Sequence, residues 1–261
     1  MLDLSFSLFD LEYFLLILVR VSCFVYVAPF FSLTGVPNQV KIGISFFTSL
    51  LLYETLTPAE VAITYNTVMG YAVIVMKEAV VGLILGFGAT LCSAIVNFAG
   101  SITDMEIGLS MVNVLDPTTK QNTSISGVYY QYVVMLMLIA SGMYRYLLGA
   151  IADSFTLIPI NGAVFHQESL LATIVDFISD YILIGFRICL PVFCVIMILN
   201  AVLGILAKVS PQMNMFAVGI QLKIIVGLSV MFFITSMLPG ASDFIFQEIK
   251  KMIASFAGGM V

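Results

Sequence analysis

The chain reads as an all-α integral membrane protein, and three observations carry that reading. Hydrophobic residues make up 61% of the 261 positions and charged residues only 10%. A soluble domain carries about 25% charged residues, so this chain could not cover a water-facing surface. Mean hydropathy is +1.12. The apolar residues also cluster into about six segments of helix-like length, separated by Gly-, Pro- and Ser-containing breaks.

Taken in order, the first segment is the uncharged run Val21–Val40, extended backwards by Leu11–Val19 around a lone Arg20. Gly35 and Pro37 in "SLTGVPN" end it. Ile42–Leu56 follows and is short for a span, which needs about 20 residues. Val61–Met76, Lys77–Glu78 and the uncharged Ala79–Thr103 come next. As one helix, 61–98 would be about 57 Å long, so a kink, a hairpin or protrusion from the bilayer is expected. Gly82 and Gly86, four residues apart, suit close helix packing. The longest polar interlude, 101–127, leads to a span Val128–Tyr144 that closes at Arg145. The connector "ADSFTLIPINGAVFHQES" precedes the overlong run Leu170–Ala207, and Phe216–Pro239 is the last span. In the tail 243–257, Ile245, Ile249, Met252, Ile253 and Phe256 recur at helical spacing. They lie opposite Asp243, Gln247, Glu248, Lys250 and Lys251, which predicts an amphipathic helix for an interface or a partner.

Several function classes drop out. Net charge is −5 with no basic stripe, which argues against nucleic-acid binding. "GLILGFG" at 82–88 lacks the Lys-Ser/Thr of a phosphate loop. The single histidine, His166, stands beside Glu168 without further metal ligands, and no nucleophile–base constellation can be assembled, so an enzyme, a metal site or a cofactor is not expected. Cys23, Cys92, Cys189 and Cys194 lie in apolar runs and read as small buried hydrophobes. "MLDLSFSLFDLEYF" is acidic where a signal peptide is basic, so insertion is expected to use the first membrane segment. The loops carry too few basic residues for a positive-inside bias to set topology.

Charges within apolar runs are costly and need partners or a function. Asp176, Asp180 and Arg187 fall within about 40° of one helix face. Internal salt bridges, docking between subunits and a proton relay all remain open for them, and the same question attaches to Lys77, Glu78, Lys223 and the pair Arg145 and Asp153. The 101–127 loop exceeds the usual 2–8 residues of a bundle connection. It is either a solvated connector or a plug entering a pore, for which the deformable Met111 would suit a reversible seal.

Three stretches then resemble one family. "LAKVSPQMNMFAVG" at 206–219 resembles the L-A-[RK]-x-x-P-Q-x-N-x-F-x-x-G pattern of the FliR family of flagellar and type III secretion export gates. "GLSMVNVLDPTT" is similar to that family's G-x-S…D-P loop, and "DSFTLIPI" to its D-S-F-x-x-[LI]-P segment. The resemblance implies a FliP-like part over 1–165 with a polar plug loop at 101–127, a FliQ-like hairpin over 166–242 and an amphipathic tail over 243–261. It implies bent helical hairpins that stack with several FliP and FliQ copies, much of the assembly standing above the bilayer plane. Unfolded flagellar subunits would thread the channel, at the flagellar basal body in the bacterial inner membrane.

By position, Gly108, Leu109, Ser110, Met111, Val112, Asp116 and Pro117 would belong to the plug. Met111 stands where many family members place a bulkier apolar residue, so this chain would seal with a thioether. Lys208, Pro211, Gln212, Asn214 and Phe216 would form a hairpin tip at the cytosolic entrance, where FlhB wraps around the gate. Membrane lipid is the remaining expected partner. The reading from another class is an ion- or proton-coupled small-molecule transporter using Asp176, Asp180 and Lys223.

Overall fold

In an apolar surrounding every backbone N–H and C=O needs a partner within the protein, and a helix supplies these within one segment. The computed structural model describes residues 8–33, 35–56, 65, 67–111, 114–115, 122–210, 212 and 214–261. Among them are eight α-helices: α1 (Leu8–Val27), α2 (Asn38–Thr55), α3 (Val68–Ile107), α4 (Ile125–Ala140), α5 (Met143–Leu157), α6 (Gln167–Val209), α7 (Met215–Ile234) and α8 (Leu238–Gly258). A two-residue ladder, β1 (Val114–Leu115) with β2 (Asn122–Thr123), is the β-structure of the described residues. The chain is an all-α membrane protein, as its composition predicts.

The chain divides into two compact units, Met1–Leu91 with Gly142–Asp176 and Glu248–Val261, and Cys92–Ser141 with Phe177–Gln247. In the first unit, α1 buries Leu16, Ile17, Val21 and Phe24. It lies so close to α3 that a Cβ on Gly82 or Gly86 would meet the carbonyl oxygens of Arg20 and Phe24. Their four-residue spacing therefore marks the helix crossing the sequence predicts. Thr90 Oγ1 donates to the Val27 carbonyl at 2.5 Å across the same crossing. Helix α2 turns its polar side inward: Lys41, Ser45 and Ser49 are buried, while Ile42 and Phe47 are 59% and 62% exposed. The connector before α6 is held by the end of the chain, through Val164 N to Met260 O and His166 N to Gly259 O, each at 3.1 Å.

In the second unit α3 and α4 cross at Gly100 and Gly127, where a Cβ on Gly100 would run into the Gly127 backbone. The Phe98 ring takes the space beside Gly185 of α6 and packs on Tyr181, with centroids 5.0 Å apart. Ile107 fills the space at Gly227 of α7.

Three continuous helical stretches are long and apolar enough to cross a membrane: Val68–Ile107, Gln167–Val209 and Ala217–Gly258. A fourth span is available if α4 and α5 count as one broken element. Two expectations change here. The overlong run before the polar interlude is not folded into a hairpin within its described part. Its 40 residues form one helix, about 60 Å along the chain against about 30 Å of hydrocarbon. The expected span Val128–Tyr144 is instead interrupted at Ser141–Gly142, because Gly142 takes a left-handed backbone at φ +80 that no helix continues through. The tail is helical as its period predicts, and its apolar stripe of Ile245, Ile249, Met252, Ile253 and Phe256 is buried within the chain rather than laid on a bilayer.

Candidate functional site

Two polar elements join helices, and described residues at the base of each make hydrogen bonds. The first follows α3. Gly108, at φ +93, stops that helix, its N–H donating to the Asp104 carbonyl at 3.0 Å. Leu109–Met111 then make one 3-10 turn, with Ser110 exposed. Val114 and Leu115 pair antiparallel with Thr123 and Asn122. Ser124 caps α4, its Oγ accepting from Gly127 N at 2.9 Å. The buried Asp104 carboxylate reaches across from α3 and accepts from Ser126 N, at 3.2 Å to Oδ1, and from the Ser126 hydroxyl. A carboxylate on the unpaired N–H groups of a helix start is doubly favourable, through hydrogen bonding and the helix dipole. Ser126 Oγ also lies 3.4 Å from Met231 Sδ of α7. Both ends of the loop are thus fixed to one clamp. Val112, Asp116 and Pro117 lie outside the described residues.

The second element joins α6 to α7. Lys208 is exposed in the last turn of α6, where a cation complements the helix dipole. Gln212 and Asn214 are exposed, and Asn214 caps α7, its Oδ1 accepting from Ala217 N at 3.5 Å. Phe216 lies in the first turn of α7, and Pro211 falls outside the described residues.

The apolar-run charges divide. Glu78 is fully buried: its Oε2 accepts from Arg20 Nε at 2.6 Å and its Oε1 from the Asn161 N–H at 2.9 Å. Arg20 Nη1 donates to the carbonyls of Ser154 and Ile158, at 3.2 and 2.9 Å, and the guanidinium stacks 4.2 Å over the Phe155 ring. "DSFTLIPI" is therefore the wrap around this ion pair. Sequence reasoning passed over Arg20. The signal was there, a single charge inside an otherwise uncharged run. Lys77 and Lys223 are half-buried, and neither makes a hydrogen bond or ion pair among the described residues. Asp176 and Arg187 are exposed, Asp180 is half-buried, and Arg187 lies 5.2 Å over the Phe244 ring. Arg145 and Asp153 are both exposed, and Arg145 donates to the Tyr144 hydroxyl rather than to Asp153. Between α2 and α3, the Tyr65 hydroxyl donates to the Glu12 carboxylate at 2.6 Å, which pushes that phenol above its ordinary value. His166 is exposed, and no cluster of three or more His, Cys, Asp or Glu fit for a metal occurs among the described residues.

The sequence matches the family described as bacterial export proteins, family 1, over residues 11–249. The chain belongs to that family. Its relatives include the flagellar biosynthetic protein FliR of Bacillus subtilis (strain 168), 32% identical over 216 residues that cover 82% of each chain. FliR of Escherichia coli (strain K12) is 26% identical, covering 91% of this chain and 89% of its own. FliR of Borreliella burgdorferi is 26% identical, covering 98% and 94%. The matched span takes in both polar elements and the Arg20–Glu78 pair, so the three motifs stand in a whole-length likeness. The family and these relatives are named for export and flagellar biosynthesis, not for an enzymatic activity.

Proposed function

We propose that the chain is a subunit of the flagellar protein export gate in the bacterial inner membrane. It assembles with FliP- and FliQ-like proteins, meets an FlhB-like protein at the 208–216 tip, and passes unfolded flagellar subunits. The observation that carries this reading is the polar loop after α3. It begins at the Gly108 stop, is closed by the β1–β2 ladder and is fixed at both ends to the Asp104–Ser126 clamp. A segment tied at its base in this way can fill a channel at rest and yield to a passing chain without unfolding its scaffold. The whole-length likeness to FliR proteins supports the placement in the flagellar apparatus.

In this mechanism Leu109 and Met111 supply the apolar seal, and Gly108 supplies the hinge. Lys208, Gln212 and Asn214 present the polar tip to the next component. Asp176, exposed on α6, takes a partner outside the chain.

The test is removal of 109–122 within the assembled complex, with a short glycine–serine bridge in its place. The expected result is a membrane that leaks ions and small solutes while the complex still co-purifies with its partners. A tight membrane around an intact complex would overturn the plug. A chain extracted alone at 28.5 kDa, with no partner in mild detergent, would overturn the gate.

A further inference from the structure

Arg187 stands where a charge-free run begins. From Ile188 to Ala207 α6 carries no Asp, Glu, Lys, Arg or His over 20 positions, about 30 Å of helix and the thickness of a hydrocarbon core. Lys208 ends it. The run Ile224–Ser242 through α7 into α8 is likewise uncharged, and Asp243 ends it. Arg187 and Asp243 therefore mark one membrane boundary, the level at which phosphates of lipid headgroups lie.

At that level α6 and the α7–α8 junction enclose a groove of about 240 Å³. Ile184 and Pro191 of α6, Met237, and Gly240, Ala241 and Phe244 of α8 help to line it, and Arg187 is its only charged or hydrogen-bonding side chain. Arg187 is exposed, lies over Phe244 and makes no hydrogen bond or ion pair among the described residues. Pro191 has no N–H, so the Arg187 carbonyl one turn earlier also lacks its helical donor. The small residues keep the groove open: a Cβ on Gly240 meets nothing within 4 Å.

A guanidinium at an apolar boundary needs an anion, and its planar fork fits a phosphate with two parallel hydrogen bonds. An apolar trough beside a single cation fits a molecule with one charged end and a hydrocarbon body. Basic pockets between membrane helices take anionic headgroups for this reason. We propose that this groove binds an anionic phospholipid, its phosphate on Arg187 and an acyl chain along α6 and α8. A carboxylate from a neighbouring subunit would satisfy the charge but leave the trough unfilled, which is why lipid is the occupant assigned.

The chain, with whatever subunits co-purify, is held in neutral detergent, given phosphatidylglycerol or phosphatidylcholine, and weighed intact by mass spectrometry. The wild type should retain phosphatidylglycerol at least tenfold more than phosphatidylcholine. Arg187→Gln should abolish that preference. Gly240→Leu keeps the charge but fills the trough, and should reduce retention of phosphatidylglycerol about tenfold. A wild type without headgroup preference overturns the proposal whatever the variants do, as does unchanged retention in both variants. Loss of a partner protein from Arg187→Gln with lipid retention unchanged would overturn it in favour of a subunit carboxylate.

Discussion

Replacing Glu78 with alanine removes the only carboxylate hydrogen-bonded to Arg20 among the described residues. It leaves a guanidinium of 0% exposure without a counter-ion. Breaking a buried pair from one side costs about 3–5 kcal/mol, and the Asn161 N–H, which Glu78 Oε1 accepts at 2.9 Å, is orphaned as well. For a chain of this size each kcal/mol lowers the melting temperature by about 2–4 °C, so Glu78→Ala should melt about 6–20 °C below wild type. Melting in detergent can be followed with a thiol-reactive fluorogenic dye. Cys194 is exposed and gives the starting signal, whereas half-buried Cys23, one turn from Arg20 on α1, reports opening of the first unit. The double variant Arg20→Met/Glu78→Leu removes both charges and should recover about half of the loss. It still strips the Ile158 carbonyl of Arg20, but the Ser154 carbonyl keeps the Ile158 N–H at 2.9 Å. If Glu78→Ala melts within about 2 °C of wild type, or the double variant melts below the single one, the pair is not the knot of this unit.

Gly82→Val drives a side chain into the Arg20 carbonyl, which cannot move aside; no folded chain should accumulate in membranes, whereas Gly149→Ala, with open space around it, should be neutral or stabilise by up to about 1 kcal/mol in the same melt. Asp104→Asn turns one acceptor of the α4 clamp into a donor facing Ser126, a loss of about 1–3 kcal/mol. Amide hydrogens of the first α4 turn should exchange at least fivefold faster, and unchanged exchange would remove the clamp from the account. Gly108→Val must hold a β-branched residue at φ +93, at a cost of about 1–2 kcal/mol. It should raise ion leakage through the assembled complex without lowering its yield.

The period of the sequence made the helices legible, and it did so best where neighbours in sequence share a face. The stripe from Ile245 to Phe256 is buried at each of its five positions, and Gly82 and Gly86 touch a neighbouring helix as their spacing implies. The polar knots were not legible. Arg20 meets Glu78 58 residues away and Ile158 138 away, and no local pattern encodes a contact of that range. The break at Gly142 was missed for a different reason. "SGM" sits in a run whose hydropathy does not fall, and hydropathy carries no information about a left-handed φ. The 101–127 loop was singled out by its length and the tip by family resemblance, while the clamp at the base of the loop, Asp104 with Ser126, required the fold.

Both units solve one physical problem in one way. Where the surroundings are as apolar as the side chains, burying Leu or Phe gives no gradient toward the interior, and large apolar residues stay outside. Phe232 and Phe233 are 77% and 73% exposed, and α2 buries serines while it exposes phenylalanines. Specificity then has to come from close backbone contact and from polar groups that find partners only in the correct arrangement. The first unit has Gly82 and Gly86 against α1 and the Arg20–Glu78 pair; the second has Gly100 against Gly127 and the Asp104–Ser126 clamp. Each knot joins helices at a glycine crossing, so neither can loosen without separating backbones that have no side chains between them.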